Sequence, residues 1–192
     1  MQRTAPRAAA DAERYAAVHM HVAALSASDA SRYRELMLYA YAAAPDAFTS
    51  TPEERAAEPE SWWLKRIADP TGLSAALGAF HEGNLVGTVT IEFSAKPKTR
   101  HKARLIGMFV HESCRGRGAG ASLVRAALAS AQARSEVRLV TLTVTEGNAA
   151  AIGLYERCGF RAFGTEPMAI ATPAGYKAKV HMWLPIGGST AA

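Results

Sequence analysis

Between residues 103 and 145 the chain reads as strand, glycine-rich turn, amphipathic helix and strand, an order suited to a sheet with helical connections. Residues 103–110 are an apolar run short enough for a buried strand, and residues 137–145 are rich in the Val and Thr that strands prefer. The intervening residues 118–134 are alanine-rich and place Leu123, Val124, Ala127 and Leu128 on one helical face. Upstream, residues 73–80 and 85–93 flank His81-Glu82-Gly83-Asn84, whose Gly and Asn supply a turn with positive φ and so predict a hairpin. Hairpins between some strands and helices between others make the expected sheet mixed.

The flanking segments extend the pattern. Residues 14–25 alternate Val18, Met20 and Val22 with His19 and His21, the period of a strand with outward histidines. From Ser28 onward, Tyr33, Leu36, Met37 and Tyr41 fall at helical spacing, and Pro45 ends a helix of about twelve to sixteen residues. Thr51-Pro52-Glu53-Glu54 is a capping box with proline at the first helical position, so a second helix begins there or resumes after Pro59, with Trp62, Trp63 and Ile67 on its apolar side. Residues 149–158 read as a short helix closed by Gly159, and residues 160–170 and 176–184 as a terminal hairpin. The fold class expected is α/β (α+β), with a sheet of about seven strands flanked by about four helices.

With 192 residues, 49% hydrophobic and 20% charged, this is the composition of one globular domain, and it excludes general disorder. The expected division is a flexible tail over residues 1–12, one domain over 13–186 and a tail over 187–192. Cys114 and Cys158 are too few for a disulfide framework and lack zinc-site spacing, which predicts reduced packing thiols and no metal. His19 and His21 lie on one strand face, but no third ligand accompanies them. No apolar run reaches the length of a membrane span, so a soluble, cytoplasmic protein without a membrane partner is expected. The net charge of +5 favours an anionic ligand but is small for a nucleic-acid binder. The basic residues Lys96, Lys98, Arg100, Lys102 and Arg104 lack the interleaved aromatics that such a binder uses.

Arg115-Gly116-Arg117-Gly118-Ala119-Gly120 is the segment richest in chemical implication. Glycines there let backbone approach a ligand, the helix start offers unpaired N–H groups, and Arg115 and Arg117 add fixed charge, together a phosphate-binding arrangement. A tight strand-to-helix turn with solvated arginines is the plain alternative. A dinucleotide fingerprint is a poor match: a hairpin precedes the segment, and Glu136 starts the next strand instead of ending it. The phosphate-loop signature fails because no Gly-Lys-Ser or Gly-Lys-Thr follows.

Arg115-x-x-Gly118-x-Gly120 resembles the acyl-CoA pyrophosphate motif of the GCN5-related N-acetyltransferase (GNAT) family. Downstream, Asn148, Ala151, Leu154-Tyr155 and Gly159-Phe160 are similar to the second signature of that family. The resemblance is clearest over residues 80–184. It implies a splayed sheet in which the fourth strand parts from the fifth to admit the pantetheine arm of acetyl-CoA. It also implies that backbone groups of Met108, Phe109 and Val110 pair with that arm, and that Arg115, Gly116, Arg117, Gly118, Ala119 and Gly120 hold the pyrophosphate. Asn148 would contact the arm and Tyr155 would face the sulfur.

Acetyl transfer to an amine needs a neutral amine, a stabilised oxyanion and a proton for the departing thiolate. A phenol with pKa about 10 is a neutral donor, which suits Tyr155 to the last role. Unpaired N–H groups near Phe109 or Val110 would polarise the thioester carbonyl where the strands part. Many relatives carry a carboxylate base on the fourth strand, but residues 105–110 hold none, leaving Glu92, His111 and Glu146 as candidates acting directly or through water. Trp62, Trp63, Tyr39 and Tyr41 divide between core packing and an acceptor groove. The reading that results is an acetyl-CoA-dependent N-acetyltransferase acting on a small-molecule amine or protein amine, as a monomer or homodimer. A non-catalytic acyl-CoA sensor and a nucleic-acid module are the alternatives.

Overall fold

The computed structural model describes residues 20–187. The expected tail over residues 1–12, the portion of the first expected strand that contains Val18 and His19, and residues 188–192 lie outside the described residues. Seven strands form one sheet: β1 His21–Ala24, β2 Ser74–His81, β3 Asn84–Phe93, β4 Lys102–Val110, β5 Leu139–Thr145, β6 Arg161–Thr172 and β7 Gly175–Pro185. Their spatial order is β1-β2-β3-β4-β5-β7-β6, and among the pairings only β4 with β5 is parallel. Five helices accompany them among the described residues: α1 Ala30–Ala43, α2 Pro52–Ala56, α3 Glu60–Ile67, α4 Ala119–Gln132 and α5 Ala149–Arg157. The mixed sheet agrees with the sequence, with one helix more than expected.

That extra helix has a local cause. Thr51 Oγ1 accepts from the Glu54 N–H at 3.2 Å, and Glu54 Oε2 accepts from the Thr51 N–H at 2.8 Å, which starts α2 with Pro52 at its first position. Pro59 has no N–H to donate and its ring obstructs a continuing helix, so the chain restarts as α3 one residue later. In the β2–β3 turn the positive φ angles fall at Glu82 (51°) and Gly83 (78°). Asn84 already belongs to β3 and pairs with His81, so the two central residues are Glu82 and Gly83, not Gly83 and Asn84 as the sequence suggested. The end of α5 follows expectation: Gly159 is left-handed (φ 94°), and the Phe160 N–H closes onto the Tyr155 carbonyl at 3.0 Å.

The two faces of the sheet are covered differently. Against one, Leu123, Val124 and Ala127 of α4 pack on Val89, Ile91, Leu105, Val140 and Leu142, all fully or almost fully buried. Against the other, Tyr33 and Met37 of α1 and Trp63 and Ile67 of α3 cover Ala76 and Phe80. Strand alternation places Thr88, Thr90 and Glu92 on this second face, and with them Arg104, Thr141, Thr143 and Lys179 farther along the sheet. The apolar helix layer covers β1–β3 and reaches β4 at Phe109, on which Leu36 and Ala40 of α1 pack, and the polar stretch beyond it borders a cleft.

The cleft originates in strand pairing. β4 and β5 are joined only at Lys102 with Leu139, Ala103 with Val140, and Arg104 with Thr141. Beyond that point the β3–β4 register shifts between Thr88 and Thr90, so that Gly107 and Met108 both oppose Val89. A bulge of this kind bends its strand, and Gly107 takes the required left-handed backbone (φ 60°). Replacing Gly107 by Val should therefore lower stability by about 1–2 kcal/mol, the cost of a left-handed non-glycine residue, in urea unfolding. Trp63→Ala, which empties one of the largest fully buried side chains, should cost about 3–5 kcal/mol.

Candidate active site

A short 3-10 turn, Glu112–Cys114, carries the chain from β4 to the glycine segment. Gly116 (φ 74°) and Gly118 (φ 84°) are left-handed, with nothing within 4 Å of where a Cβ would stand, so this backbone is both strained for other residues and open to a ligand. Gly118 is the N-cap of α4, and its carbonyl receives the first helical bond from the Ser122 N–H at 3.0 Å. The N–H groups of the first helical turn consequently lack helical acceptors. Gly120 serves a different purpose: a Cβ there would lie 3.0 Å from Leu154 and 3.3 Å from Met108, so its absence lets α4 approach both α5 and β4.

Arg115 anchors the turn to the strand. Its Nε donates to the Val110 carbonyl at 2.9 Å, and its guanidinium lies 5.7 Å from the centre of the Phe109 ring. The His111 N–H reaches Val86 on β3 at 2.8 Å, and residues of a strand alternate in direction, so the Val110 amide faces away from β3 while that of Phe109 faces toward it. Of the two donors named from sequence, Val110 is the one directed to the parted edge.

A cavity of about 360 Å³ opens where the strands separate. Residues 105–108 of β4 form one wall and residues 143–145 of β5 the other, while Asn148, Leu154 and Tyr155 of α5 border one end. The segment after α1 crosses above them: the Thr145 hydroxyl donates to the Asp46 carbonyl at 2.6 Å, Lys177 pairs with the Asp46 carboxylate, and Phe48 reaches the cavity while packing on Tyr41. Asn148 is held as the N-cap of α5, its Oδ1 accepting from the Ala151 N–H at 3.1 Å.

Tyr155 is 6% exposed, packs edge-on to Phe160 and borders the cavity. Among the described residues its hydroxyl has no hydrogen-bond partner. Burial, with a smaller contribution from Cys158, pushes its pKa up to about 12, so the phenol keeps its proton throughout the physiological range. The neighbouring Cys158 thiol is itself pushed up by burial, and Cys114 is buried and unbonded to another cysteine, so neither is presented as a thiolate nucleophile.

The three candidate bases are not brought together. Glu92 borders the cavity. His111 instead stacks on Tyr39 at 4.9 Å and shares a hydrogen bond with Ser113 at 2.8 Å, in a surface cluster where Glu112 accepts from the Tyr39 hydroxyl. Glu146 is exposed in the turn after β5, its N–H bonded to the Ala178 carbonyl at 2.9 Å. Of the early aromatics, Tyr41 and Trp63 are core residues, Tyr41 also touching the cavity, whereas Tyr39 is 40% exposed. Sequence reasoning missed Arg55, Arg66 and Lys179, all of which border the cavity, and grouped Arg104 with a surface loop when it borders the same space. The period-two pattern of β4 and β7 places Arg104 and Lys179 on one face, and only the tertiary arrangement leaves that face open. Among the described residues no group of three or more His, Cys, Asp or Glu is placed to hold a metal ion, and no helix is long and apolar enough to cross a membrane.

Comparison with known proteins bears on the family and the fold. An L-amino acid N-acetyltransferase of Escherichia coli (strain K12) is 31% identical over 103 residues, which are 54% of this chain and 62% of that protein. The chain thus spans under two thirds of the length of this relative. A GNAT-family acetyltransferase from Streptococcus pneumoniae superposes with a TM-score of 0.73 at 23% identity, covering 88% of this chain and all of that one. A GCN5-related N-acetyltransferase from Kribbella flavida gives 0.73 at 24% identity, covering 87% and 98%. The acetyltransferase (GNAT) family model matches residues 35–160, from within α1 to Phe160 just past the Tyr155 helix, and the chain belongs to that family.

Proposed function

We propose that the protein is an acetyl-CoA-dependent N-acetyltransferase that joins its two substrates in one ternary complex. The observation that carries the reading is the parted β4–β5 edge, which leads from the glycine turn at one end to a buried, neutral Tyr155 and an acceptor cavity at the other. The residues fit an acyl-CoA: free N–H groups at the start of α4 and the charges of Arg115 and Arg117 suit a pyrophosphate, and the β4 edge suits an amide-bearing arm. Acetyl-CoA would supply an acyl thioester, whose C–S bond breaks as the amine nitrogen forms the new C–N bond.

The chain's own groups account for the remaining requirements. The Val110 N–H is directed where it would stabilise a developing oxyanion without reorganisation. Tyr155 would donate toward the departing sulfur; the burial that raises its pKa also disfavours a bare thiolate beside it, so the proton is shared in a matched environment. Glu92, facing the cavity from β3, would take the amine proton directly or through a water. The acceptor is a small-molecule or protein amine, and the L-amino acid activity named for the Escherichia coli relative favours the first.

Three outcomes test this reading. Gly118→Asp should weaken CoA binding at least about tenfold in calorimetry, by replacing an open left-handed glycine with a bulky like charge, while the protein stays folded; unchanged affinity would remove the turn from the cofactor site. Tyr155→Phe should leave CoA affinity within a few fold and lower turnover about tenfold to a thousandfold, whereas Glu92→Gln should be more harmful than His111→Ala or Glu146→Ala. Finally, the folded pKa of Tyr155 exceeds the value of about 10 in an unfolded chain, so the folded state retains the proton longer. Its stabilising contribution is complete below pH about 10 and is lost as pH rises through about 12, and Tyr155→Phe should flatten the corresponding fall in melting temperature.

A further inference from the structure

The acceptor side of the cavity is lined by four cations, Arg55, Arg66, Arg104 and Lys179, against the single carboxylate of Glu92. The cations form two pairs. Arg55 and Arg66 project from α2 and α3 onto one indole, their guanidinium carbons 4.5 and 4.7 Å from the centre of Trp62. The Nε of each is buried without a hydrogen-bond partner, and Arg66 has no ion pair among the described residues. Arg55 is only partly answered, by Ser50 at 2.6 Å and Glu58 at 3.4 Å. Stacking two like charges on one ring while leaving buried donors empty is costly unless an acceptor oxygen completes the set.

The second pair lies across the sheet. Arg104 on β4 and Lys179 on β7 share its polar face and border the same cavity, and burial, with Arg104 adding to it and Glu166 opposing it, lowers the Lys179 pKa. Glu92 is the cross-strand partner of Arg104, and both it and Arg66 also border an adjoining cavity of about 450 Å³. The carboxylate is therefore next to both cation pairs, where an amine brought to it would hold anionic groups toward each. A neutral or cationic amine would leave Arg66 without an ion pair and Arg55 and Lys179 only partly compensated, and a peptide terminus would lack the α-carboxylate.

We propose that the acceptor is a free α-amino acid with an acidic side chain, its two carboxylates received by the Arg55–Arg66 pair on Trp62 and by the Arg104–Lys179 pair, with its amine directed to Glu92. The proposal rests on the acetyl-transfer reading and narrows it to one substrate class.

The test separates the two. Calorimetry on CoA-saturated protein would compare glutamate and aspartate with glutamine, asparagine and glutamate α-amide, alongside free-thiol release from acetyl-CoA with each. The acids should bind at least about tenfold tighter than either amide form, the usual value of a charge-assisted contact. In Arg66→Gln the penalty for amidating one carboxylate should vanish, and in Lys179→Gln the penalty for amidating the other, with melting curves confirming folding. Two variants on different elements keep the test decisive if one fails to fold. Equal affinity for acids and amides, or a preference that survives both substitutions, overturns the inference even where thiol is released with other amines. Binding of the acids with the expected variant pattern but without thiol release would instead uphold the ligand class and defeat the transferase reading.

Discussion

β4 and β5 share three residue pairs and then separate, and the rest of the site depends on that separation. Backbone groups that leave a ladder must find other partners, since an unpaired buried amide or carbonyl costs about as much as a lost hydrogen bond. On β4 the Val110 carbonyl is satisfied by Arg115, which ties the strand to the glycine turn, while the Val110 amide is directed to the opening. The bulge at Gly107 and Met108 maintains the divergence, and the glycine at position 120 lets α4 and α5 close behind it. One interruption in strand pairing thus creates an entrance, a free donor and a cavity.

Positive charge is organised differently on the two sides of this opening. At the start of α4 it comes from backbone N–H groups and exposed arginines, an open arrangement suited to a ligand group that stays hydrated on one side. On the cavity side it comes from partly buried arginines fixed by an aromatic ring and a half-buried lysine, where lower dielectric makes each contact more selective. Tyr155 stands between them with its proton retained by burial. The sheet enforces this division: its α4 face is an apolar core, and alternation sends Glu92, Arg104 and Lys179 to the other face.

Much of the fold was legible because local signals agreed with one another. The capping box at Thr51, the proline stops, Gly159 and the alternation of the strands each specified an element that the structure contains. The glycine turn was legible for the same reason, since Gly118 and Gly120 sit where a strand gives way to a helix. What could not be read was direction after an element ends. His111 and Glu146 both follow the strands that part, yet the turns they enter carry one into the Tyr39 cluster and the other to the surface. Arg55 and Arg66 were equally silent, because their convergence on Trp62 requires the break between α2 and α3 at Pro59 and the packing of both helices over the sheet.

The central claim is that the parted β4 edge receives the cofactor arm, and amide hydrogen exchange reads that edge directly. Saturating CoA should slow exchange at the Val110 amide and at the first turn of α4, while the β2–β3 hairpin turn is unchanged. Tight CoA binding that leaves the Val110 amide exchanging at the rate of the free protein would contradict it.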